Sequence, residues 1–576
     1  MSTTLLRRVR PAGRPPAFPA TGPGPAACGP ALVQAILVEA GRIAWIGPDA
    51  EAAVLIDTLP GGDVTVLDLH GALVLPAFVD AHAHVTETGL LLDGVDLSGA
   101  RSVVEILDAV AAAAAARPAG QVLGHGWDEL NLAEGRPPTG AELDRAGAGR
   151  PVYLSRVDVH SAVISSSLAR LCGAPGLAGW APDGRVERDA HHAARHSTRF
   201  GLSPAQRRRL QVLALRSAAA VGIGELHEMS APHVAPDEDL IWLLALAGGV
   251  PDDPGTGLLP AVVPYRGELA ADEVQARAIV AGLRAAGLPW LAGLAGDLNI
   301  DGSFGSRTAA LRQDYADAPG HRGHLYLDAD QVRDHVVACT GAGLQAGFHV
   351  IGDAAVDTLL AGLQTAAEKV GLPAFRAARH RFEHLESLDA AQVAALARLG
   401  VVASVQPAFD AAWGGTDRMY AIRLGAGRAA GLNPFATMTA AGMPLAFGSD
   451  SPVTSFAPWE AVRAALLHRT TAERIDLATA IRAHTAGGRF AAGSRPPSPV
   501  SGRRRAGGPA PVPQSMVDDG TLRVGGPATL ACWRSPGLSA AGADPLAALA
   551  EELTGSDPAP ACVLTMIAGT VVFSAG

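Results

Sequence analysis

Two histidines two residues apart, His82 and His84, close an apolar run that extends from Ala72 to Val79. Alternate residues of a β-strand project from one face, so both imidazoles can converge on one point. Neutral imidazole is a common zinc ligand, and a His-x-His arm forms without help from distant sequence. Three further groups end apolar segments downstream. His349 closes Gln345-Ala-Gly-Phe-His349, His384 closes Arg381-Phe-Glu-His384, and Asp450 closes Leu445-Ala-Phe-Gly-Ser-Asp450. Singly, each has an ordinary explanation, since strand histidines often bond within a core and strand-end aspartates often cap helices. Four imidazoles and one carboxylate, all at the ends of strand-like segments, instead describe a divalent-metal site.

Such groups need strands that end on one rim. Eight apolar segments have the length of strands: Val74–His82, Gly224–Met229, Leu258–Tyr265, Leu294–Ile300, Gln345–Val350, His380–Leu385, Val401–Gln406 and Leu445–Asp450. Ala-rich helical stretches separate most of them. One runs from a Ser387 N-cap to a Gly400 stop, and another opens on a Ser102-Val-Val-Glu105 capping box. Alternating strands and helices predict an α/β fold, here a (β/α)8 TIM barrel over residues 74–488 with its site at the strands' C-terminal ends. The interval from about 90 to 215 exceeds one crossover and predicts an inserted subdomain. β-rich segments at 31–73 and 517–576 predict a small β-sandwich domain built from both termini. Residues 1–30, rich in Pro, Gly and Ala, read as a disordered tail, and 489–516 as a disordered linker or insertion.

The chain has 576 residues and a net charge of −10, which gives no electrostatic case for nucleic acid. Arg503-Arg-Arg505 sits among Pro and Gly and reads as a solvated loop. The five cysteines (Cys28, Cys172, Cys339, Cys532, Cys562) are far apart, which fits a reducing compartment better than a disulfide framework. The first 30 residues contain no apolar core of a signal peptide, and the run Leu240–Val250 is about half a bilayer span. The expectation is a soluble, cytoplasmic protein without membrane or nucleic-acid partners. Lys369 is the only lysine, on what reads as an amphipathic surface helix.

The order HxH, His, His, Asp resembles the amidohydrolase superfamily. Finer motifs resemble its amidohydrolase-3 group, the N-substituted formamide deformylase-like amidases. They are Leu75-Pro-Ala-Phe-Val-Asp-Ala-His-Ala-His84, Gly124-His-Gly-Trp-Asp-Glu129, Pro151-Val-Tyr-Leu-Ser-Arg-Val-Asp-Val-His-Ser161, Asp301-Gly-Ser-Phe-Gly-Ser-Arg-Thr-Ala309, His349-Val-Ile-Gly-Asp-Ala354, Arg381-Phe-Glu-His384 and Phe447-Gly-Ser-Asp-Ser-Pro452. The resemblance implies that His82, His84, His349 and His384 hold one or two divalent ions, zinc first. It implies that Asp450 touches the ion and its water and acts as general base. Zinc can bring a bound water's pKa to about 7, so the expected attack is by metal-bound hydroxide.

Two departures stand out. Many members carry a lysine on strand four that, once carboxylated, bridges two metals; the matching residue here is Asp297. Asp297 either supplies a shorter bridging carboxylate or is a polar strand-end residue beside a single metal. The C-terminal segment reads Gly526-Pro-Ala-Thr-Leu-Ala531 where the family usually has an aspartate, a change expected to affect sheet contacts rather than chemistry.

The resemblance also suggests pocket residues. Asp301 and Arg307 shape the rim, unless Asp301 is simply a turn residue before Gly302. Trp127, Asp128, Asp158 and His160 belong to an insertion that could form a lid. Phe409 and Trp413 supply apolar substrate contact or cover the barrel mouth. His227-Glu228 lines the pocket or packs behind it, and His191, His192 and His196 read as solvent-facing on an Arg-rich helix. The implied activity is hydrolysis of a non-peptide carbon–nitrogen bond, an amide or N-formyl group, in a small molecule. The alternatives are deamination of a cyclic amidine-type substrate and a catalytically silent binding barrel. The resemblance is compatible with a homodimer.

Overall fold

The computed structural model describes residues 3–12, 33–58, 64–116, 120–199, 202–247, 257–493, 520–537 and 545–575. Eight parallel strands form a ring in chain order: Phe78–Ala83, Ile223–Ser230, Ala261–Arg266, Gly293–Leu294, Gln345–Val350, Arg381–His384, Val402–Val405 and Leu445–Phe447. They are numbered here as barrel strands one to eight. Strands covered on both faces need apolar residues without alternation. Every residue of strands one, two and five is accordingly buried. The ring closes just past strand eight. There the Asp450 N–H donates to His82 O at 2.8 Å, and the His84 N–H to Ser451 O at 2.9 Å.

Helices cover the outside of the ring. Ala329–Ala342 and Asp353–Val370 pack Val336 and Val356 into one core with Phe348 of strand five and Phe382 of strand six. Those two rings stack with centroids 6.3 Å apart. Burying each such side chain contributes about 1.5–3 kcal/mol. The helix expected to start at Ser387 spans Ala390–Leu399 and is capped by Asp389, whose carboxylate accepts from the Gln392 N–H while Gln392 Oε1 accepts from the Asp389 N–H. Ser387 is still leaving strand six, where its N–H donates to Ile351 O. Gly400 ends the helix at φ +74°, a conformation that suits glycine. Ser102 caps Val103–Ala116 through its hydroxyl, but the Glu105 carboxylate reaches back to the Arg101 N–H.

A mixed seven-stranded sheet forms the β-sandwich domain from both chain ends. Its order is Thr570–Ser574, Ala561–Ile567, Leu530–Arg534, Val64–Pro76, Thr3–Pro11, Gln34–Glu39, Arg42–Pro48. Two expectations are corrected here. Thr3–Pro11 is a strand rather than part of a disordered tail, because Leu5, Leu6 and Val9 bury themselves against both neighbouring strands. Val74 belongs to this sheet, paired with Cys532, so the barrel begins at Phe78 and not at residue 74. The rest of the expected tail from residue 13, and the linker from residue 494 to 516, lie outside the described residues. Arg489 of that linker sits in the helix Gly488–Ala491, with its guanidinium on Glu225 at 2.5 Å.

Between strands one and two the chain builds a separate five-stranded sheet: Val95–Asp96, Val122–Trp127, Val152–Arg156, Ser161–Ile164 and Arg185–Glu187. It has its own core around Ile106, Val110, Leu143 and Leu154. The helix Arg188–Arg199 follows it and lines the cavity above the ring. No helix among the described residues is long and apolar enough to cross a membrane.

Candidate metal centre and active site

The C-terminal rim of the ring gathers five of the expected side chains. His82 is the last residue but one of strand one, and His84 is the residue before the helix Val85–Asp93. Asp450 and His384 take left-handed backbone, at φ +54° and +73°. For His384 this matters directly. Strand alternation would put it on the outer face with Phe382, opposite Glu383. The positive φ turns its ring inward, to 5.1 Å from that of His82. Such backbone costs about 1–3 kcal/mol per residue and persists only where the surroundings enforce it.

His82 Nε2 lies 3.3 Å from Asp450 Oδ1 and 3.5 Å from Asp297 Oδ1. His84 Nε2 lies 3.3 Å from Asp450 Oδ1 and 3.3 Å from Asp297 Oδ2. Charge-assisted hydrogen bonds are shorter, about 2.7–2.9 Å. Two atoms each about 2.0–2.1 Å from one tetrahedral ion stand roughly 3.3–3.4 Å apart, which is the spacing seen. His82 Nε2 is buried without a hydrogen-bond partner. Ligand atoms of His82, Asp297 and His384, and again of His82, His84 and Asp450, fall within 4.8 Å of one another. Two carboxylates with three imidazoles suit a divalent cation of the zinc type.

The charges respond to one another. Burial works against the charged forms of His82 and His84, but Asp450 and Asp297 outweigh it and hold both above the usual histidine range. Those carboxylates, despite their own burial, are held below the usual carboxylate range by the facing imidazoles. Burial keeps His384 and His349 neutral, pushing both down.

A second layer sets which imidazole nitrogen is free. His82 Nδ1 donates to Glu383 Oε2 at 2.9 Å, which leaves Nε2 as the nitrogen that faces the cluster. Glu383 is gripped by Arg381, Nε to Oε1 at 2.7 Å and Nη2 to Oε2 at 2.9 Å, and is held strongly acidic by that guanidinium in spite of burial. His384 Nδ1 donates to Gln406 Oε1 at 2.8 Å, and the Phe409 ring stacks on its face at 6.0 Å. His349 Nε2 donates to Gly302 O at 3.2 Å, so its free lone pair is on Nδ1. Its ring packs on that of His384 at 4.4 Å, but it stands outside both ligand groups. Acceptors of this kind orient metal-binding histidines. Sequence reading gave Glu383, Arg381 and Gln406 no role of their own, although the Arg381-Phe-Glu-His384 motif contains two of them; the Arg-x-Glu spacing, which puts two charges on the inner face of a buried strand, was the available signal.

Of the six side chains assigned to substrate, His160 lines the cavity and the other five do not. Trp127 is in the insertion's core with its indole N–H on Leu154 O. Asp158 accepts from Ser303 and Ser306 and pairs with Arg156. Asp301 accepts backbone N–H groups of Ala310, Ile351 and Gly352, and burial still pushes it up to about 7. Arg307 pairs with Asp317. Phe409 is buried beneath His384. Trp413 packs on Phe409, and Asp128 pairs with Arg156. Glu228 is buried and accepts from the Val85 N–H, while His227 Nδ1 faces Arg381 at 2.8 Å.

The cavity over the cluster has a volume of about 490 Å³. One wall is His84, Asp297, His349 and Asp450; the facing wall comes from the Arg-rich helix, through Arg188, His191, His192 and Arg195. Of the three histidines expected to face solvent on this helix, His192 and His196 are exposed and His191 is not. His191 is 2% exposed and bonded to Tyr153 Oη at 2.8 Å. Its polar sequence looked like a solvated surface, whereas the polar face borders an internal cavity.

The chain is similar to known proteins along most of its length. A family model described as "Amidohydrolase family" matches residues 65–497. Protein LONG AFTER FAR-RED 3 of Arabidopsis thaliana is 26% identical over 451 residues, 76% of this chain and 75% of its own. N-substituted formamide deformylase of Arthrobacter pascens is 24% identical over 458 residues, 76% and 81% respectively. A metal-dependent hydrolase structure from Pyrococcus horikoshii superposes with a TM-score of 0.66 at 22% identity, covering 93% of this chain and 98% of that one.

Proposed function

The chain belongs to the amidohydrolase family and is an enzyme that hydrolyses carbon–nitrogen bonds, and on that premise we propose that it cleaves an amide or N-formyl group of a small molecule with a divalent metal, zinc first. The observation that carries this reading is the meeting of His82, His84, His384, Asp297 and Asp450 at ligand spacing, with His84, Asp297 and Asp450 bordering a cavity of about 490 Å³. A cation held there supplies a Lewis acid and lowers the pKa of water toward about 7.

The protein's own groups account for the rest. His82, His84, His384 and Asp297 would hold the ion, and His349 would join them through its free Nδ1. Asp450 borders both the cluster and the cavity. Held ionised by the imidazoles, it can take a proton from the attacking water and return it to the departing amine. His349 and His160, ring centroids 5.8 Å apart, line the cavity beside the cluster. With no lysine at the strand-four position, Asp297 is the group that could bridge a second ion.

The test is a hydrolysis screen of N-formyl, N-acyl and cyclic amide substrates on protein loaded with zinc, manganese or iron, reading formate, amine and ammonia. Amine release is expected, together with an Asp450→Asn variant that retains metal and loses at least about 100-fold in kcat. Undiminished turnover in that variant, or ammonia from a ring substrate alone, overturns the reading.

A further inference from the structure

The wall facing the metal cluster carries more positive charge than it can neutralise. Arg195 and Arg199, one helical turn apart on Arg188–Arg199, share a single carboxylate. Glu87 binds Arg199 directly, and Arg199 also lies over the Tyr153 ring at 5.7 Å. Arg195 is left 3.8 Å from the same Glu87 oxygen, beyond hydrogen-bond length, and its Nε is buried without a partner. The side chain is only 13% exposed and borders the cavity. A guanidinium placed there with half a counter-ion is costly unless something completes it.

Asp189 borders the same cavity but forms no ion pair with Arg195 or Arg188 among the described residues. His192 and His233 border the cavity with ring centroids 5.5 Å apart, and burial, with Arg195 adding to it, holds both imidazoles in their neutral forms. Arg188, at the same wall, forms no ion pair among the described residues. The carboxylates on the cavity's far side, Asp297 and Asp450, are engaged with His82 and His84. One end of the cavity therefore suits a metal and a scissile amide, and the other suits an anion with planar, two-oxygen geometry.

We infer that the substrate is a carboxylate-bearing amide of the N-acylamino acid or N-formylamino acid class, with Arg195 as the residue that receives its carboxylate and Arg188 assisting. This rests on the amide-hydrolase reading above and deepens it.

The experiment measures binding and turnover separately. Zinc-loaded Asp450→Asn protein is titrated calorimetrically with an N-acetylamino acid and with its carboxamide-capped analogue. The carboxylate form should bind at least about 50-fold more tightly, the worth of a hydrogen-bonded charge pair. Adding Arg195→Gln should remove that preference, Arg195→Lys should restore part of it, and the exposed Arg188→Ala should reduce it by about 5-fold. With Asp450 intact, the ratio of kcat/KM between the two substrates should fall by a similar factor in Arg195→Gln, chiefly through KM. Equal binding of the two ligands, or a preference that survives Arg195→Gln in the folded protein, overturns the inference. Amine release from capped amides with no carboxylate preference would sink the inference alone. Carboxylate-selective binding without hydrolysis of any amide would sink the amidase reading and leave the anion site standing.

Discussion

His82 and Glu383, 301 residues apart in sequence, are joined by a 2.9 Å bond between two side chains that water does not reach. Glu383→Gln weakens the charge behind His82 and leaves Arg381 without its counter-ion. Zinc affinity, measured by chelator competition, should fall about 10- to 100-fold. Denaturant unfolding should show a loss of about 3–5 kcal/mol, since Arg381 stays charged and buried. Unchanged metal affinity would show that the Glu383–His82 bond does not tune the ligand.

Phe409 stacks on His384 and does not line the cavity. Phe409→Leu should lower metal affinity and kcat together while leaving the ranking of substrates as it was. A change in the ranking, read as kcat/KM across a panel of amides, would return Phe409 to the cavity wall.

Asp301 is a structural acceptor. In Asp301→Asn, an amide NH2 would confront either the Ile351 N–H or those of Gly352 and Ala310. The expected cost is about 2–5 kcal/mol by urea unfolding, from buried donors left unmatched. A variant as stable as the parent would count against that arrangement.

Acid should destabilise the fold through three histidines remote from catalysis. Burial pushes His335 and His484 down to about 4 and His380 to about 3. Above pH 6.5 both folded and unfolded chains keep them neutral. Below it the unfolded chain takes up protons that the folded chain refuses, so each imidazole removes up to about 1.4 kcal/mol per pH unit until its folded pKa is reached. Glu228 and Glu386, pushed up to about 8, act with the opposite sign between about pH 4.5 and 8, so a difference measurement is needed. In His484→Gln, stability measured from pH 6.5 to 5 should fall less steeply than in the parent by about 1 kcal/mol per unit. Parallel slopes would contradict a neutral His484.

The eight barrel strands were readable because parallel strands covered on both faces leave continuous apolar runs, and because His82, His384 and Asp450 stand at the ends of such runs. Three things were hidden. Thr3–Pro11 carries Arg7, Arg8 and Arg10, which pattern reading assigns to a tail until Asp49 and Asp68 are seen to pair with Arg7 and Arg8. His191 and Arg195 lie on a helix polar enough to look solvated, and no periodicity separates a face toward bulk water from a face toward an internal cavity. The inward turn of His384 depends on one positive φ, which a histidine does not advertise as a glycine would. Pocket residues fared worst, since Trp127, Asp158 and Arg307 were inferred by resemblance and are used by the surrounding scaffold.

The two seam bonds, Asp450 N–H to His82 O and His84 N–H to Ser451 O, tie the first strand's end to the turn after the last. A nascent chain shorter than about 450 residues therefore has its metal arm but lacks the piece that locks it. Fragments, premature stops and proteolytic products should be inert toward substrate however well their individual helices form, because catalytic competence arrives only when the circle is joined.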